Sequence, residues 1–254
     1  MEYLHSNTLP KKHLRAAFFL REYFFPFGCP ICGTCLVDTK ETWYGLCAHC
    51  QSIIENELEE HSSEYCRYCG KPLVSEHDYC LSCRKVEHFA LDKITVLLPY
   101  MGKYRKLLAS YKFGKNIASG HYLAEKMHHA LSNSDFLQGL SPTDARIVPV
   151  PPRPGKIKST GWDQVEYVVQ LLEKNAGMPV SRSLKRLASK SQKELDQESR
   201  KTNLQGRIIA KKNVPKNCVL VDDVITTGST LEACATALKK AGAQKIFGLC
   251  MFYS

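Results

Sequence analysis

Cys218-Val219-Leu220-Val221-Asp222-Asp223-Val224-Ile225-Thr226-Thr227-Gly228-Ser229-Thr230 reads as a buried strand that ends in two carboxylates and runs through a Thr/Gly/Ser turn into a helix. The apolar run is short and β-branched, as a parallel strand covered on both faces should be. Leu231 to Leu238 is a good helix former, and Lys239, Lys240 and Gly242 supply its stop. The turn therefore lies at the carboxyl end of a strand and the amino end of a helix, where unpaired N–H groups and the helix dipole favour an anion. Asp222 and Asp223 are acceptors only, so they suit vicinal ribose hydroxyls beside a shared Mg²⁺ rather than a phosphate. Donors for a phosphate next to acceptors for a ribose describe a 5-phosphoribosyl group. The competing reading is a metal-binding or structural acidic pair at a strand end. The Gly-Lys-Ser/Thr of a nucleotide-hydrolase loop does not follow Gly228.

Val219 to Thr230 resembles the phosphoribosyl pyrophosphate (PRPP) motif of type I phosphoribosyltransferases. The resemblance implies that Asp222 and Asp223 hold the ribose hydroxyls, while Thr226, Thr227, Gly228, Ser229 and Thr230 wrap the 5-phosphate. Upstream, the pattern predicts a strand (Ile94 to Leu98), helices (Tyr104 to Tyr111 and His121 to Leu131), a strand (Arg146 to Val150) and a helix (Gln164 to Lys174); a strand from Lys245 to Phe252 closes the chain. Alternation of this kind predicts a three-layer α/β domain with a mostly parallel sheet over residues 91–254. Val150, Pro151, Pro152 and Arg153 begin a stiff loop that also carries Lys156 and Lys158. By the same resemblance it holds the pyrophosphate of PRPP; a solvated basic loop is the alternative.

Nine of the twelve cysteines lie between residues 29 and 83, and eight of them form Cys-x-x-Cys pairs: Cys29/Cys32, Cys47/Cys50, Cys66/Cys69 and Cys80/Cys83. This is metal spacing, enough for two structural Zn²⁺ sites with four thiolates each and no open position for water. Sequential pairing is preferred over an interleaved cross-brace because each block has its own hairpin-sized insert, Trp43-Tyr44-Gly45 in one and His77-Asp78-Tyr79 in the other. An acidic linker, Ile53 to Glu64, separates the blocks. The arrangement resembles a double zinc ribbon over residues 1–90, with an amino-terminal helix. Cys35 reads as a free or buried thiol, with competition with Cys32 as a ligand the alternative; His49 and His77 read as bystanders, and Cys218, Cys234 and Cys250 as small buried hydrophobes of a reducing cytoplasm. Residues 16–27 are too short and too charged to span a bilayer, and nothing at the amino terminus reads as a signal peptide.

Charge divides the same way. Residues 1–90 hold 9 Lys+Arg against 12 Asp+Glu, net −3, whereas residues 91–254 hold 26 against 13, net +13, giving the chain's +10. Such a surplus suits an anionic partner, nucleic acid or polyphosphate, or simply a basic surface.

The whole order resembles one narrower group, the ComF family. Its marks here are the Cys-x-x-Cys pairs, Tyr100-Met101-Gly102-Lys103-Tyr104-Arg105, Lys112-Phe113 and the Val-Pro-Val-Pro strand. Thr160-Gly161-Trp162-Asp163-Gln164 stands where the family has Arg-Gly-Phe-Asn-Gln, so the arginine is lost while Lys156 and Lys158 lie nearby. Ser191, Gln192, Leu195, Arg200 and Asn203 match a later segment that resembles the flexible loop closing over PRPP, with a solvated basic linker as the alternative. The resemblance implies a cytoplasmic protein that binds PRPP and single-stranded DNA during natural transformation, alongside a competence helicase. The alternative is a salvage phosphoribosyltransferase that joins ribose 5-phosphate to a base or amine, with no DNA role. Residues 91–145 carry no base-reading signature, so transferase, PRPP sensor and PRPP-binding protein all stay open.

Overall fold

The computed structural model describes residues 28–60, 66, 73, 78–81, 83–85, 90–132, 137, 144–188 and 207–253. The expected amino-terminal helix, Cys69, His77, Gln192, Arg200 and Asn203 lie outside the described residues.

Four strands form one all-parallel sheet: β1 (Lys93–Pro99), β2 (Arg146–Pro149), β5 (Asn217–Ile225) and β6 (Lys245–Tyr253), in the order β1-β6-β5-β2. Both faces are covered, which is why β5 and β6 read as nearly continuous apolar runs. Against one face lie α3 (Gly102–Lys112), α4 (Ala118–Ser132) and α6 (Gln164–Ala176), whose Leu107, Leu123, Met127 and Val168 share a cluster with Val219 and Val221. Against the other lies α7 (Ser229–Lys240), whose Leu231, Ala235 and Leu238 meet Cys218, Leu220 and Cys250. Sheet between helices is the expected three-layer architecture.

Some elements are absent from the sequence reading. A short helix α5 (Lys156–Thr160) stands between left-handed Gly155 and Gly161, where a stiff loop is expected. An antiparallel pair, β3 (Leu184–Arg186) and β4 (Ile208–Ala210), brackets residues 189–206.

In the cysteine region the inserts differ from expectation as well. Trp43 and Tyr44 belong to a helix, α1 (Thr39–Tyr44), and most of the expected acidic linker is helical, in α2 (Ala48–Glu60). A capping box from Asp38 and Glu41 starts α1. Glu41 also accepts from the N–H of Ala48 at 2.7 Å, so one buried carboxylate fixes the angle between α1 and α2, and these bonds hold it below the usual carboxylate range.

Candidate functional site

Four sulfurs, those of Cys29, Cys32, Cys47 and Cys50, lie within 4.8 Å of one another, and Cys66, Cys80 and Cys83 form a second group on the same criterion. The first group is therefore sequential. Tetrahedral zinc–sulfur geometry sets sulfurs about 3.8 Å apart, and Cys32 and Cys47 stand at 3.6 Å. The donor set fits a Zn²⁺ ion. Cys29 and Cys32 come from a turn closed by the Gly28–Cys35 bridge, with Gly33 at φ 82°, whereas Cys47 and Cys50 straddle the start of α2. Cys35 is exposed and outside the cluster, and His49 is exposed.

The cysteine region is bound tightly to the α/β domain. Trp43 stacks on His121 of α4 with ring centroids 3.9 Å apart, and burial pushes His121 down to about 4. Tyr44 donates to Glu125, and Glu57 of α2 accepts from both Lys103 and Tyr104 of α3. Lys126 meets Glu55 at 2.6 Å. The acidic helix thus faces basic positions of α3 and α4.

At the carboxyl edge of the sheet, β2 stops pairing with β5 at Pro149 and Val221, and the N–H of Val150 still reaches the Val221 carbonyl at 2.9 Å. The chain from Val150 to Arg153 therefore leaves the sheet beside Asp222. Val150 and Pro151 are buried, and Arg153 is exposed. The acidic pair is not at the strand terminus: β5 continues alongside β6 to Ile225.

The two carboxylates have different surroundings. Asp223 is ion-paired with Lys112 of α3, Nζ to Oδ2, at 2.7 Å. Asp222 accepts from the N–H of Asp223 at 2.8 Å. Burial first, and then the charge of Asp223, push Asp222 up to about 8, while Lys112 pulls it back. At neutral pH Asp222 therefore favours its protonated form, beside the Asp223–Lys112 ion pair.

Lys112 is held where it is by the Thr160-to-Gln164 block. Gln164 donates from Nε2 to the Lys112 carbonyl at 3.2 Å, and its own carbonyl accepts from the Tyr111 hydroxyl at 2.7 Å. Trp162 packs edge-on against Tyr111 with centroids 5.1 Å apart. Asp163 caps α6 through the N–H groups of Val165 and Glu166 and draws Lys156 to 3.5 Å. The block thus acts as a brace, and Lys156, one of the two lysines near the lost arginine, is turned to Asp163. The pairing of Lys112 with Asp223 bridges an interval that no local pattern spans, and only the Lys-Phe mark pointed to that position.

Thr226 and Thr227 are exposed, Gly228 takes φ 73° as the residue before α7, and no side chain caps that helix. The hydroxyls of Thr227 and Ser229 are 2.7 Å apart. Hydroxyls and uncapped N–H groups converge here, the donor set an anion needs. Arg186, carried in by β3, is in the sequence only one cation among many, with no motif to mark it. Burial, then the charge of Arg153, lower its pKa, and Asp222 and Arg207 lie in the same electrostatic neighbourhood. Arg186 thus feels both Arg153 and Asp222 from a different segment of the chain.

Comparison with known proteins agrees with this geometry. The phosphoribosyl transferase domain family matches residues 176–254, which hold β5, the turn and α7. Competence protein F of Haemophilus influenzae is 30% identical over 229 residues, covering 88% of this chain and 95% of that protein. The chain belongs to the competence protein F (ComF) family. Competence protein ComFC of Streptococcus pneumoniae is 25% identical over 207 residues, 79% of this chain and 84% of that one. DNA utilization protein YhgH of Escherichia coli K12 is 23% identical over 224 residues, 87% of this chain and 96% of that one. This chain thus carries both the cysteine clusters and a match to the phosphoribosyl transferase domain. Among the described residues no helix is long and apolar enough to cross a membrane.

Proposed function

We propose that this protein binds PRPP with Mg²⁺ at the carboxyl edge of β2 and β5, binds single-stranded DNA, and serves DNA uptake in the cytoplasm. The observation that carries the PRPP half is convergence: an acceptor pair and a hydroxyl-rich turn opening a helix with no side-chain cap meet at one sheet edge, with Arg186 in the electrostatic reach of Asp222. Asp222 and Asp223 accept from the ribose hydroxyls, Thr226 to Thr230 hold the 5-phosphate, and Arg153 with Arg186 face the pyrophosphate. Mg²⁺ bound with PRPP would add positive charge beside the pyrophosphate, next to Arg153 and Arg186. Should transfer occur, the bond from the anomeric carbon to pyrophosphate breaks as the acceptor's bond forms, and the same cations offset charge on the leaving group. The DNA half is supported by the competence relatives and by the +13 balance of residues 91–254. In the cysteine clusters, Cys29, Cys32, Cys47 and Cys50 hold one structural Zn²⁺, and Cys66, Cys69, Cys80 and Cys83 a second.

Calorimetric titration of Mg²⁺ and PRPP into wild type and an Asp222→Asn/Asp223→Asn variant tests the pocket. We expect binding to the wild type and at least tenfold weaker binding to the variant, equivalent to about 1.4 kcal/mol; undiminished affinity removes the assignment. Pyrophosphate release, screened with bases, ammonia and oligonucleotides as acceptors, separates a DNA-handling protein from a salvage enzyme.

A further inference from the structure

Two segments around the candidate site share an unusual composition. Residues 100–117 contain Lys103, Arg105, Lys106, Lys112 and Lys115, residues 150–162 contain Arg153, Lys156 and Lys158, and neither segment has an Asp or Glu. Three of these cations are engaged: Lys103 with Glu57, Lys112 with Asp223 and Lys156 with Asp163. Lys106, Lys115, Arg153 and Lys158 make no ion pair among the described residues and are exposed.

The same segments leave apolar side chains in water. Of the nine large hydrophobic residues exposed among the described residues, four are here: Phe113 (77%), Met101 (59%), Ile157 (55%) and Ile117 (52%). Neither feature is a core defect, since Tyr104, Leu107, Leu108 and Tyr111 fill the inner side of α3. Lys106 and Phe113, seven residues apart, lie on one outer helical face. The segments also meet in space. A Cβ built on Gly161, which closes α5, would stand 3.7 Å from Lys115 Nζ, and Gln164 holds the Lys112 carbonyl. No residue of α5 is buried, so Ile157 and Lys158 stand out beside the α3–α4 loop.

The geometry points to this basic rim, centred on Phe113 and Lys115 and bordering the Asp222/Asp223 pair through Lys112, as the surface that holds single-stranded DNA. Unpaired cations spaced among exposed apolar and aromatic side chains match a flexible polyanion whose bases are free to stack. A duplex keeps its bases inside, and a protein partner would find a surface without acids to pair its own basic residues. The inference rests on the nucleic-acid half of the proposed function and adds where the strand lies: across the mouth of the phosphoribosyl site.

Fluorescence anisotropy with labelled oligothymidylate, and with a duplex of equal length, tests it on the full-length protein. Phe113→Ala should weaken oligothymidylate binding about tenfold or more. Lys106→Glu/Lys115→Glu should weaken it further and flatten the slope of log K against log salt by about 1.4, two single-strand phosphate contacts. Both variants should bind PRPP and melt as the wild type does, because these side chains are exposed and outside the pocket. Wild-type affinity for oligothymidylate in both variants overturns the surface, as does a preference for duplex. Wild-type protein that takes up PRPP but no oligothymidylate overturns the nucleic-acid half of the proposed function itself.

Discussion

A single lysine tempers the charge state of the site. Lys112 lies 2.7 Å from Asp223 and is among the groups that lower the pKa of Asp222, which burial and Asp223 together push up to about 8. A hydroxyl donates more strongly to an ionised carboxylate than to a protonated one. Affinity for ribose 5-phosphate, which carries the ribose hydroxyls without pyrophosphate, should therefore rise as pH passes through about 8. Lys112→Met should move that midpoint upward, and Lys112→Arg should restore it, read by calorimetry at pH values on both sides of 8. An unmoved midpoint would show that the lysine only packs. Stability has the opposite sense. Asp222 binds a proton in the folded chain that it has lost in the unfolded one, so its contribution to stability falls as pH rises from its ordinary range near 3.8 to about 8 and is flat above that.

Elements were legible wherever the chain's own periodicity decides them. β1, β2, β5, β6 and helices α3, α4, α6 and α7 lie where alternation and caps put them, because a doubly covered strand must be apolar and an amphipathic helix must bury one face. Most of α2 reads as an acidic linker in sequence because its charges suggest a solvated stretch; their partners, Lys103, Tyr104 and Lys126, are remote and invisible to any local window. β3 and β4, three residues each, are too short for a pattern, and with them went the placement of Arg186. The motif made the Asp pair legible. Its lysine partner depends on how α3 and α6 pack, which no single motif encodes. That packing has its own test. A Cβ on Gly120 of α4 would stand 2.7 Å from Cε1 of Tyr167 on α6 and 3.1 Å from Cε2 of Tyr111. Gly120→Ala should force these rings apart and cost about 1–3 kcal/mol in denaturant unfolding. A loss confined to a few tenths would mean the helices have room to separate.

At the scale of the molecule, the cysteine region and the α/β domain share their interior. Cys29, Cys47, Cys50, Leu46 and Ile54 belong to one hydrophobic cluster with Leu123, Val168 and Phe247, and Cys66, Cys80 and Cys83 join the cluster on the α7 side of the sheet. A boundary near residue 90 would therefore divide composition and charge without dividing the core. The energetic consequence is large. A structural Zn²⁺ site contributes on the order of 10 kcal/mol to folding, against a total margin of about 5–15 kcal/mol for an ordinary domain. If the clusters hold Zn²⁺ as proposed, stripping it would remove support from the layer that holds α3 and α4, and with α3 would go Lys112. Calorimetric unfolding of the metal-loaded protein should show one transition. Chelator, or Cys47→Ser, should lower that transition as a whole and weaken PRPP binding along with it, with zinc release followed colorimetrically. Two separate transitions, the upper one untouched by chelator, would show instead that the α/β domain stands without its metal-binding partner.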